Sequence, residues 1–162
     1  MNGFNQYIYM TYNPHESRRL GQWIGEQLCP GDVVPLFGEM GAGKTVLTKG
    51  IAVGLDIKET VLSPSFTVMQ YYPDGRVPLY HYDWFRISGK GDLQSNGLDE
   101  YLYLKGVSVI EWPEKALDLL PSRRLDVYVT MLHDENTRQW MLYPRGGFVL
   151  KGKAPKIECL IG

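Results

Sequence analysis

The sequence is poor in several features that would point to particular protein classes. It has only two cysteines, Cys29 and Cys159, among 162 residues, too few for a disulfide-stapled secreted scaffold. No apolar run approaches the ~20 residues of a membrane-spanning helix, and no secretory signal pattern is visible. The net charge of -1 and the pI near 6.3 give no general attraction to nucleic acid. We therefore expect a reduced, cytoplasmic protein with no membrane contact, two buried thiols, and any RNA contact local or made through a partner.

What the sequence does contain is typical of a globular protein. An apolar content of 44% is enough for a core, and we find no repeat, linker or low-complexity tract. We expect one domain over residues 1–162. Its last part, residues 146–162, carries the basic cluster of Lys151, Lys153 and Lys156, which we interpret as a solvated tail.

The hydrophobic pattern predicts alternating strands and helices. A first strand in "NQYIYMTYN" precedes a helix that starts near Asn13 or Ser17, and a short apolar strand, "VVPLF", follows, with Pro35 as a warning of irregularity. The turn residues around Pro73 predict a β-hairpin, and "RRLDVYVTML" with "RQWMLYP" predicts a second one. Short helices are predicted at "LDEYLYL" and "PEKALDLL", on either side of an apolar strand, "GVSVIEW".

Residues 38–45, "GEMGAGKT", match the P-loop pattern of glycine, four residues, glycine, lysine, then threonine or serine. The glycines let backbone amides converge on phosphate oxygens, the Lys44 ammonium can contact the β- and γ-phosphates, and the Thr45 hydroxyl can bind magnesium. The motif follows an apolar strand and precedes a helix, as this chemistry requires. We therefore expect a three-layer α/β domain of P-loop type, with a mixed sheet, and Lys44 facing solvent.

Two carboxylates are candidates for the metal that accompanies a P-loop. Glu111 ends the strand "GVSVIEW", and Asp83 lies in "PLYHYDWFRI", whose alternation places His81 on the same face. A half-solvated edge strand would also explain this polar face. For His81, a structural histidine and a functional one remain equally open.

Four motifs in order resemble the TsaE family, also called YjeE-like ATPases: "GEMGAGKT", "SPSFT" at 63–67, "HYDWFR" at 81–86 and "EWPE" at 111–114. The similarity covers about residues 5–145. The resemblance implies a small P-loop ATPase that uses ATP and Mg²⁺ and is required for making threonylcarbamoyladenosine in tRNA. It also implies action with the TsaD and TsaB proteins, and contact with tRNA only through that complex.

The resemblance also assigns roles to individual residues. Lys44, Asp83 and Glu111 would be catalytic, and Thr45, Asp83 and Glu111 would bind the metal. The nucleotide-binding set would be Gly38, Glu39, Met40, Gly41, Ala42, Gly43, Lys44, Thr45, Val46, Thr67 and Trp112.

This sequence departs from the family pattern at two of these places. Val46 stands where many members have a second hydroxyl residue, so one side-chain contact to the α-phosphate is lost while the backbone amide remains. Phe85 stands where a tyrosine is common, so this position lacks the phenol hydroxyl and any role that it has in the family.

Two other P-loop classes are weaker alternatives. A small-molecule kinase generally has its P-loop directly after the first strand, whereas here a strand and a helix precede Gly38, and no arginine-rich lid is visible. A GTP-dependent switch would need a guanine-selecting Asn/Thr-Lys-x-Asp element, which the sequence lacks.

The aromatic residues around Asp83 allow two interpretations. Tyr80, Tyr82 and Trp84 could form an exposed interface that senses the nucleotide, or they could pack beneath the sheet. Arg86 alternates onto the face opposite Asp83 and is expected to be a surface or partner contact. Because only Arg86 has an obvious position near the site, and it lies on the opposite face, we expect slow hydrolysis by the isolated protein and acceleration by its partners.

Overall fold

The computed structural model describes residues 5–162, apart from the side chain at position 103, and its centre is one eight-stranded mixed sheet. The strand order across the sheet is β3-β4-β5-β2-β6-β7-β1-β8. β4, β5, β2 and β6 run parallel, and the outer pairings are antiparallel. The strands are β1 Tyr7–Thr11, β2 Val33–Phe37, β3 Met69–Tyr72, β4 Leu79–Asp83, β5 Val107–Glu111, β6 Arg124–Met131, β7 Arg138–Arg145 and β8 Glu158–Ile161.

Helices cover both faces of this sheet. They are α1 Pro14–Gln27, α2 Lys44–Gly54 and α3 Lys90–Ser95, with 3₁₀ helices at Leu98–Tyr103 and Pro113–Leu119. α1 and α2 share one core cluster with Val34 and Leu36, whereas Val33 and Ile110 pack with α3 and the 3₁₀ helices in a second cluster. The expected three-layer α/β fold with a mixed sheet and two β-hairpins is therefore confirmed. None of the helices within residues 5–162 is long and apolar enough to cross a bilayer.

α1 and α2 pack backbone against backbone. A Cβ at Gly50 would lie 2.1 Å from the Arg18 carbonyl oxygen, and one at Gly25 would lie 2.3 Å from that of Ile51. Only glycine allows this approach, since real Cβ atoms do not come so near to a carbonyl. The contact holds the helix that follows the P-loop against its neighbour along most of its length.

Pro35 is tolerated in the middle of the sheet because of how β2 pairs. β2 pairs with β5 from Val33 to Leu36, but with β6 only at Leu36 and Phe37. The proline therefore precedes the part of the strand that has neighbours on both sides, and its missing N–H donor is accommodated there.

The polar face of β4 does not belong to an edge strand. β3 is the edge, and all five residues of β4, including His81 and Asp83, are buried. Tyr82 and Trp84 are also fully buried and Tyr80 nearly so, because α3 and the 3₁₀ helices cover their side of the sheet. The interpretation of these three aromatics as an exposed interface is therefore wrong.

Residues 146–162 do not form a free tail. β8 pairs with β1 at the sheet edge, and Phe148, Leu150 and Ile157 are buried in the main core cluster. The lysines of this segment are exposed, as expected.

The two thiols are less buried than expected. Both cysteines are free, and Cys29 is exposed because it lies in the turn after α1, while Cys159 on the edge strand is partly exposed.

Candidate functional site

The loop between β2 and α2 has the backbone of a phosphate cradle. Gly41 and Gly43 have φ values of 79° and 108°, in the left-handed region that glycine adopts readily. Space around Gly41 is open, since a Cβ built there would meet nothing within 4 Å. α2 begins at Lys44, so its unpaired N–H groups and positive dipole end face the loop.

Lys44 is buried, with 4% of its surface exposed, and the expectation that it faces solvent is wrong. Its Nζ donates to the Gly38 carbonyl oxygen at 2.6 Å and lies 3.5 Å from the centre of the Trp112 ring. Burial lowers the pKa of the ammonium, and the negative charges of Glu111, Glu114 and Asp83 oppose that shift. The free protein thus holds the lysine folded against its own loop.

Glu111 is the centre of a small hydrogen-bond network at the end of β5. Thr45 Oγ1 donates to its carboxylate, 3.1 Å from Oε1 and 3.3 Å from Oε2, and His81 Nε2 lies 2.7 Å from Oε2. Glu111 is 4% exposed. The first helical residues of α2, the middle of β4 and the end of β5 therefore meet at one carboxylate.

Asp83 lies beside Glu111, because the two residues are paired in the register of β4 and β5. Its Oδ1 accepts from the Phe85 backbone N–H at 2.9 Å, and its Oδ2 accepts from Ser65 Oγ at 3.3 Å. Ser65 was not singled out by sequence reasoning, although it lies within the "SPSFT" motif that pointed to this region.

Two residues near this network have left-handed backbone conformations, which residues with a Cβ atom rarely adopt. Trp112, directly after β5, has φ 60° and ψ 48°, and Val68, directly before β3, has φ 66°. Such conformations cost about 1–3 kcal/mol each and tend to occur at functional sites. Trp112 directs its ring under Lys44, and the Val68 carbonyl oxygen accepts from the Asp83 N–H at 2.8 Å.

The other sequence-predicted residues lie around the network rather than in it. Thr67 is exposed and lines a neighbouring cavity of about 270 Å³, while Ser65 makes the contact to Asp83. Glu39 and Met40 are exposed at the tip of the loop. Val46 lines a separate cavity of about 110 Å³.

Arg138, which no sequence motif indicated, supports the loop from the other side. Its Nε donates to the Ala42 carbonyl oxygen at 2.8 Å. Arg138 begins β7 and lies far from Ala42 in the sequence, so only the folded sheet brings the two together.

The side chains of Thr45, Asp83 and Glu111 have the chemistry that a magnesium ion would need if phosphates supplied its other ligands. Within the described chain, no group of three or more His, Cys, Asp or Glu side chains has the arrangement of a metal site. Mg²⁺, however, is usually held by one or two carboxylates together with phosphates and water. Thr45 is hydrogen-bonded to Glu111 and Asp83 is the register partner of Glu111, so one hydroxyl and two carboxylates lie on adjacent elements at this end of the sheet.

The fold and this loop together define the class. An apolar strand, a loop with two left-handed glycines, and a helix that starts with Lys44 and Thr45 form the strand–loop–helix unit of a P-loop-type α/β domain.

Comparison with known proteins identifies the family. A family model described as "Threonylcarbamoyl adenosine biosynthesis protein TsaE" matches residues 11–140. Two relatives carry the name tRNA threonylcarbamoyladenosine biosynthesis protein TsaE. The Bacillus subtilis protein is 39% identical over 130 residues, 80% of this chain and 81% of that one, and the Treponema pallidum protein is 40% identical over 127 residues, 78% and 93%.

A solved structure agrees with these matches. The crystal structure of Bacillus subtilis YdiB superposes with a TM-score of 0.77 at 35% identity and covers 90% of both chains. The chain belongs to the TsaE family.

Proposed function

We propose that this protein binds and hydrolyses Mg²⁺-ATP as a component of the cytoplasmic machinery that makes threonylcarbamoyladenosine in tRNA. One observation carries the proposal: Lys44 and Thr45 at the start of α2 converge with Asp83 and Glu111 at the ends of two neighbouring strands. A cation, a hydroxyl and two carboxylates at the mouth of a phosphate cradle are what ATP hydrolysis requires.

Each side chain has a role that its chemistry supports. Lys44, once it turns from the Gly38 carbonyl, neutralises phosphate charge. Thr45 and Asp83 would hold the magnesium ion, which neutralises charge on the phosphoryl group. Glu111 orients the attacking water. Its carboxylate also accepts the hydrogen bond of Thr45, which is proposed as a metal ligand.

The proposed partners are the TsaD and TsaB proteins, and tRNA is contacted only through their complex. The surface suited to them consists of Leu62, Phe66, Phe85 and Arg86, close to the Ser65–Asp83 contact. Phe66 is 87% exposed, and the Arg86 guanidinium carbon lies 4.8 Å from the centre of its ring. A segment tied to Asp83 and exposed in this way would report the state of the nucleotide to a partner.

Slow turnover by the isolated protein follows from the same geometry. Within residues 5–162, no arginine hydrogen-bonds to Asp83 or Glu111, and Arg86 faces Phe66 instead. P-loop switches commonly gain such a charge from a partner. We therefore expect TsaD and TsaB to accelerate hydrolysis.

The first experiment measures phosphate release from Mg²⁺-ATP by the wild type and by Lys44→Ala. We expect slow release by the wild type and none by the variant, at unchanged circular dichroism. Equal release by both would contradict the phosphate role of Lys44. Phosphorylation of added small acceptors would instead support a small-molecule kinase, and equal binding of GTP would argue against a preference for ATP.

The second experiment repeats the measurement while purified TsaD and TsaB are titrated in. Phe66→Ala should leave the basal rate unchanged and weaken the stimulation, and Val149→Ala, exposed on the C-terminal segment, is the matched control. A rate that does not respond to the partners, or complex formation indifferent to nucleotide, would rule out the coupling.

A further inference from the structure

His81 is buried in the interior of the sheet and contacts Glu111 rather than the cradle. It is the middle residue of β4 and has no exposed surface. Its Nε2 lies 2.7 Å from Glu111 Oε2, closer than Thr45 Oγ1 lies to either oxygen of this carboxylate. A histidine here therefore acts on the glutamate and not on a phosphate.

The second ring nitrogen fixes the tautomer. Nδ1 is inaccessible to solvent and has no hydrogen-bond partner within the described residues. A proton on Nδ1 would be a buried donor without an acceptor, which is costly, whereas a lone pair there leaves no donor unpaired. The ring thus carries its hydrogen on Nε2 and donates it to Glu111 Oε2.

Thr45 and His81 reach Glu111 from two different elements. Thr45, on α2, is nearer to Oε1, at 3.1 Å, and His81, on β4, reaches Oε2. Two donors on two oxygens set the rotation of the carboxylate plane, which a single donor would leave free. Groups that orient a reacting side chain in this way affect turnover more than binding.

We propose that His81 is a positioning residue, whose Nε2–H hydrogen bond holds the Glu111 carboxylate in the orientation that directs water at the γ-phosphate. This inference rests on the proposed ATP hydrolysis. It adds a residue that lies outside the P-loop and contacts Glu111 directly, and whose loss should lower kcat while KM for ATP stays near that of the wild type.

The kinetic test uses substitutions that keep or move the donor. The amide nitrogen of His81→Gln can reach the position of Nε2, whereas that of His81→Asn reaches only that of Nδ1. We expect His81→Ala and His81→Asn to lower kcat by about 10- to 100-fold, and His81→Gln to recover most of it. The proposal would be overturned if kcat fell equally in all three variants and in proportion to their loss of thermal stability.

Two controls separate positioning from packing. Ser108 is a buried residue of β5 whose hydroxyl also lacks a partner within the described residues, so Ser108→Ala should leave kcat unchanged. In a Glu111→Ala background, adding His81→Ala should cost no further turnover, because the residue acts through that carboxylate. Multiplying losses would overturn the proposal.

A measurement without nucleotide keeps the inference distinct from the proposed function. ¹⁵N NMR of the histidine rings in the free wild type should assign the hydrogen of His81 to Nε2, and Glu111→Ala should shift that signal. A hydrogen on Nδ1, or no response to Glu111→Ala, would overturn the proposal. A wild type that does not hydrolyse ATP would refute the proposed function, and the NMR result would still decide whether the hydrogen bond exists.

Discussion

The buried carboxylate of Asp126 and the buried carboxylates of Asp83 and Glu111 differ in the charge of their hydrogen-bond donors. Asp126, near the beginning of β6, is 2% exposed and is paired with two arginines, Arg124 Nε at 2.7 Å and Arg145 Nε at 3.1 Å. Asp83 and Glu111, at the other end of the parallel strands, are similarly buried, but their hydrogen bonds come from hydroxyl, imidazole and backbone donors.

The difference shows which carboxylates stabilise the fold and which are available to a ligand. A buried carboxylate is costly unless it is paired, and the two arginines neutralise Asp126 within the protein. At the other end, the charges of Glu111 and Asp83 act on the ammonium of Lys44, whose pKa is lowered by burial. Negative charge is thus left for a cation from outside, which supports the proposed magnesium site.

The largest expected effect is on turnover in Glu111→Gln. Glutamine keeps the size of the side chain but removes the charge that orients water, so kcat should fall by about 100-fold or more. The free energy of unfolding should hold or rise, because a buried charge is removed near Asp83. If turnover stopped and urea denaturation showed a large loss of stability, Glu111 would be a fold-stabilising carboxylate like Asp126.

Asp83→Asn tests whether the second carboxylate belongs with Glu111 or with Asp126. The Oδ1 atom of asparagine can still accept from the Phe85 N–H, and the Ser65 hydroxyl can accept from the new Nδ2–H instead of donating, so the fold should be retained. We expect kcat to fall by about 100-fold and the Mg²⁺ concentration for half-maximal rate to rise. Normal turnover combined with a lower melting temperature would make Asp83 a structural residue.

Asp126→Asn should show the opposite pattern. Asparagine keeps only one acceptor oxygen, so one charge-assisted hydrogen bond to an arginine is weakened and the other is lost, which we expect to cost about 2–3 kcal/mol of unfolding free energy. Because both arginines are partly exposed, water can solvate them and limit the loss. The turnover of the folded fraction should not change, and a kcat reduced at temperatures where the variant remains folded would contradict this contrast.

Sequence reasoning located the P-loop and the strand that ends at Glu111 far better than the edges of the sheet. Gly41, Gly43, Lys44 and Thr45 have a spacing that phosphate chemistry requires, and Glu111 ends an apolar run, so pattern and chemistry agree there. The buried C-terminal segment was missed because Phe148, Leu150 and Ile157 follow no strand or helix period and stand among glycines and lysines. β8 itself was missed because it is a mostly exposed edge strand of only four residues.

Burial could not be predicted where it depends on distant elements. An alternating strand such as β4 has the same pattern whether one face or both are covered, and only α3 and the 3₁₀ helices decide that Tyr82 and Trp84 are core residues. The burial of Lys44 also depends on a distant residue, because the ring that covers its ammonium belongs to Trp112, 68 residues further along the chain.

The smallest expected effect concerns the stability of the free protein with Lys44→Met. Methionine keeps the apolar stem but removes an ammonium that burial disfavours, while the hydrogen bond to the Gly38 carbonyl oxygen is lost. These terms oppose each other, so we expect the free energy of unfolding near neutral pH to rise by about 1 kcal/mol or less.

The sign of the pH dependence provides the sharper measurement. Because the pKa of Lys44 is lower in the folded protein than in the unfolded chain, the unfolded chain binds more protons in the window just below 10.5. The Lys44 contribution to stability therefore rises with pH there, and the advantage of Lys44→Met over the wild type should shrink as the pH approaches 10.5. Tyrosines that titrate in this range are common to both proteins and cancel in the difference. Urea denaturation of the two proteins at several pH values would measure this difference in unfolding free energy. A difference that grows with pH would show that the folded protein stabilises the Lys44 charge, which would contradict this prediction.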